Sequence, residues 1–238
     1  MNSFYISQNI ARIIILLLAL ILHEIAHAVV ALWNGDSTAK DMGRISLNPV
    51  KHFDFLGLIM LLTLRFGYGR PVPINAYNFK RRRLGYFTVS IAGVTVNFLL
   101  SFIFMGIYIP LYSYTNLFSN VLYTSNFFVQ LLFNFLQLGI YINIFLMVFN
   151  LLPIYPLDGF RVIESFTKYN NPYTVFMRKY GQYIILGLFL ITILGSYLFP
   201  SLLIQYPYLN PLGFVIETVS DWIITPIFKL WKLIWGVR

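Results

Sequence analysis

The chain has 238 residues, is 58% hydrophobic and carries a formal net charge of +9. A mean hydropathy of +0.73 makes it an integral membrane protein, and its length suits one compact helical domain. It contains no cysteine, which excludes disulfides, thiolate metal sites and cysteine nucleophiles.

The first apolar stretch, about residues 10–33, is long enough to span a bilayer. It lacks a basic start and a small-residue cleavage site, so it reads as a retained helix and not a cleaved signal. Inside it stands His23-Glu24-Ile25-Ala26-His27, with no other charge from Ile13 to Asn34. The chain has only 3 histidines and 8 acidic residues, and three of these occupy the pentapeptide. On a helix His23 and His27 are one turn apart on the same face, so both imidazoles reach one metal ion. Glu24 sits beside them, where a carboxylate can take a proton from water held at that metal. The bland alternative is a set of polar residues satisfied within a bundle. Hydrocarbon penalises all three side chains, which favours a site. Zinc needs a third protein ligand, and Asp158, Glu164 and Glu217 are the carboxylates near apolar sequence.

The next segment, 43–80, is not ordinary loop. Gly43 to Pro49 alternates briefly, Phe55 to Leu64 is apolar but too short to span, and the prolines of Arg70 to Asn75 keep that stretch extended. Short strands beside a re-entrant element are expected, with an edge on which an unwound chain can pair. Lys40, Arg44, Lys51, Arg65, Arg70 and the run Lys80-Arg81-Arg82-Arg83 mark this region as cytoplasmic. A membrane-flanking position accounts for the basic run, and no nucleic-acid partner is expected.

Four further spans follow, at about 84–112, 127–152, 180–199 and 213–235. Segments 113–126 and 200–212 have no charged residue and are expected outside. Residues 158–179 and the C-terminal Lys229, Lys232 and Arg238 are expected inside. On this topology the histidine motif lies in the inner half of its helix. Residues 153–158 end on the same side, so Asp158 is the acid best placed to meet the histidines. Glu164 comes second, and Glu217 begins on the wrong side. Arg161 and Glu164, one helical turn apart, read as a surface ion pair. Asn143 reads as an inter-helix hydrogen bonder.

Taken in order, these motifs resemble the site-2 protease family of intramembrane zinc metalloproteases. The likeness is to the small bacterial and archaeal branch without PDZ or CBS domains. It is carried by His23–His27, by Gly35-Asp36, by Gly43-Arg44-Ile45-Ser46-Leu47-Asn48-Pro49 with Lys51-His52-Phe53-Asp54, and by Pro71-Val72-Pro73-Ile74-Asn75. Ala92-Gly93-Val94-Thr95-Val96-Asn97 and Asn150-Leu151-Leu152-Pro153-Ile154-Tyr155-Pro156-Leu157-Asp158-Gly159 complete it. Val94 and Tyr155 stand where that branch usually has proline. The resemblance implies one zinc ion held by His23, His27 and Asp158, with Glu24 as general base and Asn150 and Asn97 toward the substrate. It gives His52 a structural role beside a ligand set that Asp158 already completes.

The expected fold is an α-helical polytopic membrane protein with about five long transmembrane helices and a short membrane-associated β or re-entrant segment after the first. Residues 1–238 would form a single peptidase domain, with a catalytic core of about 10–165 and accessory helices at about 180–235. The expected activity is zinc-dependent intramembrane endopeptidase action on the spanning segments of membrane proteins, at the cytoplasmic side of the cell membrane. The lipid bilayer and a membrane-protein substrate are the partners this reading names; it leaves the oligomeric state open. Two other readings stand beside it. One is a membrane zinc peptidase of the prenyl-protein-processing type, which would take a glutamate as third ligand. The other is a catalytically inactive zinc-binding membrane protein.

Overall fold

The computed structural model describes residues 2–52, 69–118, 120–122, 124, 126–168 and 170–237. Helices dominate, and among the described residues there is no β-strand. In chain order the helices are α1 (Asn2–Trp33), α2 (Thr38–Asp41), α3 (Arg82–Tyr114), α4 (Phe127–Asn150), α5 (Asp158–Phe166), α6 (Pro172–Leu198), α7 (Pro200–Gln205) and α8 (Pro211–Trp235). Helices α1, α3, α4, α6 and α8 are long and apolar enough to cross a membrane, one for each expected span. The fold class is therefore that of an α-helical polytopic membrane protein.

Local chemistry sets the helix ends. Helix α1 stops in a Schellman turn, with Asp36 N–H bonded to Ala31 O at 2.9 Å and Gly35 N–H to Leu32 O at 3.0 Å. That turn needs Gly35, whose φ is +107°. Asn126, Asn171 and Asn210 cap the starts of α4, α6 and α8, and proline opens α6, α7 and α8. The Asn171-Pro172 signal explains why α6 begins earlier than hydropathy alone places it.

The core of the bundle is α1, α3 and α4. Helix α1 presents Ala11, Ile15 and Ala19, then Ala28 and Ala31, all fully or almost fully buried. Small residues at this spacing let helix backbones approach closely, which in lipid is a main source of helix association. Ile15 packs with Phe104, Met105, Leu136 and Ile140. Nearer the histidines, Val94 packs with Ile144, Met147 and Val148, and with Leu212 and Ile216 of α8. Polar ties cross the bundle too, as where Asn134 Nδ2 donates to Ser7 Oγ at 2.9 Å. Asn143 instead bonds back to Gly139 O on its own helix.

The connection after α1 is held by one buried carboxylate. Asp36 accepts hydrogen bonds from the Thr38 hydroxyl and N–H, the Asn75 N–H and the Asn78 amide. Residues 70–75 are extended without forming a ladder, and 43–52 is turn and 3-10 structure. The apolar run Phe55–Leu64, expected to be re-entrant, lies outside the described residues.

One topological expectation is corrected. Charge placement put the C-terminus at the end of the bundle that carries residues 80–83. Instead α8 runs parallel to α3, starting beside Val94 and ending beside Gly106 and Tyr114. The reason lies in Pro110, which has no N–H for the Gly106 carbonyl one turn back. Trp235 Nε1 donates to that carbonyl at 3.1 Å, and Trp231 Nε1 donates to Phe102 O at 3.0 Å. A specific backbone acceptor outweighs a statistical charge preference here. The expected ion pair also moves: Glu164 pairs with Arg178, while Arg161 lies 3.8 Å from Asp158 Oδ1.

Two predictions follow from these ties. Trp235→Phe keeps an aromatic ring but leaves the Gly106 carbonyl without its indole donor, and should cost about 1 kcal/mol in detergent unfolding. Burial raises the Asp36 carboxyl, but the bonds from Thr38, Asn75 and Asn78 outweigh it and hold the group below its ordinary value. A depressed folded value means stability that is present above the unfolded pKa of ~3.9 and lost as pH falls through the folded one. Wild type should therefore lose its stability advantage over Asp36→Asn on acidification from pH ~6 to ~3, read as converging melting temperatures.

Candidate metal centre

The histidines stand on the buried face of α1, one turn apart, with rings nearly perpendicular at 83°. His27 Nδ1 lies 2.6 Å from Val89 O on α3. A carbonyl only accepts, so Nδ1 carries the hydrogen and Nε2 keeps its lone pair. Both side chains are buried, 6% exposed or less.

Asp158 reaches them from the first position of α5. The preceding turn folds back under that helix, which Gly159 permits: a Cβ there would lie 2.1 Å from Leu151 O. Arg161 lies nearer Oδ1, leaving Oδ2 to face the histidines. Burial raises the Asp158 carboxyl, but His27 and His23 more than offset this and hold it below the usual carboxylate range.

His23 Nε2, His27 Nε2 and Asp158 Oδ2 form a triangle with every side 3.1 Å. Oδ2 is buried and lacks hydrogen-bond geometry to either nitrogen. Three inward-facing donors at this spacing fit a shared cation. Ligands about 2.0–2.2 Å from tetrahedral zinc stand about 3.3–3.6 Å apart, close to the observed sides. Among the described residues no other group of His, Asp and Glu converges in this way. The donor set, two imidazoles and one carboxylate, suits zinc.

Glu24 is adjacent, and its Oε2 accepts the Val72 N–H at 2.7 Å. The other carboxylates weighed as third ligand are elsewhere. Glu164 accepts from Tyr86 OH and Arg178 Nε at 2.8 Å each, and Glu217 is outside the cluster. His52 is buried, with Nε2 bonded to Ser46 O at 2.6 Å, away from the triangle. Asn150 ends α4 and donates to Leu146 O. Asn97 is fully buried on α3, and neither atom of its amide has a partner among the described residues. It stands one turn beyond Gly93, on the same helix face.

Gly93 is the residue that reading for ligands passes over. A Cβ there would lie 2.5 Å from His23 Nε2 and 2.6 Å from His27 Nε2. Helix α3 thus forms a wall of the centre only because this position has no side chain. The clue in the sequence was the small pair Ala92-Gly93, but nothing there told which helix it would meet.

The family model for peptidase family M50 matches residues 11–194. Over 192 residues the chain is 40% identical to the "Putative zinc metalloprotease YwhC" of Bacillus subtilis (strain 168), covering 80% of this chain and 84% of that protein. No solved structure matches the chain. These likenesses and the donor set agree on zinc as the cofactor.

Gly93→Ala should disrupt the centre without touching a ligand. Zinc content, measured by atomic absorption after desalting, should fall at least ~10-fold, because both imidazoles must move from the shared position. Gly187→Ala, whose Cβ would meet nothing within 4 Å, is the control.

Proposed function

The chain belongs to peptidase family M50, the site-2 proteases, and on that premise we propose that this zinc metalloprotease is an endopeptidase cutting membrane proteins within or near their spanning segments. The observation that carries the reading is the convergence of His23, His27 and Asp158, with Glu24 beside them, inside a bundle of apolar helices. His27 is six residues before the end of α1, about 9 Å at 1.5 Å per residue. A peptide bond reaching this centre lies within the span of the bundle, not out in solution. The basic run Lys80–Arg83 flanks the same end, which supports a cytoplasmic-side active site.

In the proposed mechanism His23, His27 and Asp158 hold one zinc ion. When bound, zinc polarises a carbonyl and lowers the pKa of water to about 7. Glu24 takes the proton of the attacking water and hands it to the leaving amine nitrogen. His27 keeps its ligand orientation through the Val89 carbonyl, a second contact of the kind that sets tautomer and ring angle. Asn97 offers an unpaired buried amide and Asn150 a partly exposed one, and these are the side chains proposed to hold substrate backbone. A membrane helix must unwind first, since its amides are bonded internally. Residues 10–165 make up the proposed catalytic core, and the C-terminal helices are accessory. A prenyl-protein-processing peptidase would need a glutamate ligand, and Glu164 is engaged by Arg178 and Tyr86.

The test is co-expression with single-pass membrane reporters, followed by mapping of the cut. Glu24→Gln should retain about one zinc per chain and abolish cleavage, since it removes the base and not a ligand. His23→Ala, His27→Ala and Asp158→Ala should each lose zinc and cleavage together. Cleavage by Glu24→Gln, or cuts confined to soluble domains of the reporters, would overturn the reading.

A further inference from the structure

Among the described residues, Glu24 is the one member of the histidine motif that accepts a backbone hydrogen bond from the segment before α3. Pro71 and Pro73 have no N–H, so between Arg70 and Ile74 the single backbone donor is Val72. That donor goes to Glu24 Oε2 at 2.7 Å. The same peptide unit carries the Pro71 carbonyl on its opposite edge, because N–H and C=O of a trans peptide point apart. Arg44 Nη2 stands 3.4 Å from that carbonyl and donates to the preceding one, Arg70 O, at 2.6 Å.

The segment is pinned beyond these contacts. Arg70 N–H donates to His52 O at 2.6 Å, and His52 Nε2 is tied to Ser46 O. At the far end Asn75 N–H meets Asp36 Oδ2 at 2.7 Å. The 70–75 strap is thus fixed by Arg44 and His52 at one end and by Asp36 at the other. Arg44 is only 7% exposed and has no carboxylate within ion-pair distance among the described residues. Burial and then the nearby Arg70 push its pKa down from the ordinary value, only partly offset by the charge of Glu24, so the guanidinium is held here at a cost.

We propose that Arg44 is a positioning residue for Glu24. By holding the Arg70 and Pro71 carbonyls it sets the Val72 N–H against Oε2 and leaves Oε1 as the oxygen that accepts the proton of the attacking water. A cation on the carbonyl edge also polarises the peptide, which strengthens donation from its N–H edge. A carboxylate fixed through one oxygen holds the other at a constant place, and loss of about 1 Å in placement can cost on the order of 100-fold in rate. Arg44 touches none of the three zinc donors, so the effect is confined to the base. The inference rests on reading Glu24 as that base.

Two measurements separate this inference from the functional reading beneath it. In zinc-free protein in detergent, the Val72 amide should exchange slowly in wild type. It should exchange at least ~10-fold faster in Arg44→Ala and in Glu24→Ala, with the amides of α1 unchanged. With zinc restored and a peptide substrate, Arg44→Ala should lower kcat ~10- to 100-fold while KM stays within about 2-fold and zinc remains near one per chain. Arg44→Lys, which can still reach the Arg70 carbonyl, should recover part of kcat. Val72→Pro, which deletes the donor itself, should lower kcat as Arg44→Ala does. Unchanged Val72 exchange in Arg44→Ala, wild-type kcat in either Arg44→Ala or Val72→Pro, or a kcat loss that tracks zinc loss would each overturn the proposal. If wild type cleaves no substrate while the exchange pattern holds, the functional reading fails and the strap geometry stands.

Discussion

Two imidazoles and a carboxylate share one small volume inside an apolar bundle, and much of the fold is arranged to let them meet. Ionisable groups in such surroundings are tolerated only when they face one another or a cation. Here His23, His27 and Asp158 stand 3.1 Å apart at every side. Bringing them that close leaves little room for anything else. Gly93 clears the wall opposite the histidines, and Gly159 clears the turn beneath the aspartate. The alanines of α1 give the bundle the close helix contacts that hold these positions in register.

Around that centre, backbone groups do work that side chains alone could not. The Val89 carbonyl selects the His27 tautomer, and the Val72 N–H holds Glu24. Both come from chain distant in sequence, and the strap that carries Val72 is held by the buried polar anchors Asp36 and Arg44. These anchors explain why the segment after α1 carries so many polar residues at protected positions. The residues bracket a strap that has prolines where extra donors would compete.

The far end of the bundle follows a separate logic. Pro110 breaks the ladder of α3 and exposes a carbonyl, and the indole of Trp235 supplies the missing donor. In lipid no water can satisfy that carbonyl, so the partner must come from protein. The match sets α8 parallel to α3 and carries the C-terminus away from the cluster of His23, His27 and Asp158. A rule counting basic residues could not anticipate it, because it weighs charge near the membrane and not the geometry of one acceptor.

All five spans, the histidine motif and the carboxylate that meets it could be read from the chain by itself. Each leaves a local mark: a run of apolar residues sets a span, and two histidines four apart share a helix face whatever surrounds them. Asp158 was legible because its side of the membrane followed from where the spans end. What only tertiary structure decided are the contacts between remote backbones and side chains. That Gly93 must be bare, that Val72 donates to Glu24, that Arg44 holds the strap, that Glu164 pairs with Arg178 and that α8 reverses its expected sense have no local signature. They depend on which surfaces meet, and in a membrane that choice is made by close packing and by the need to satisfy each buried polar group, both properties of pairs of helices and not of any one of them.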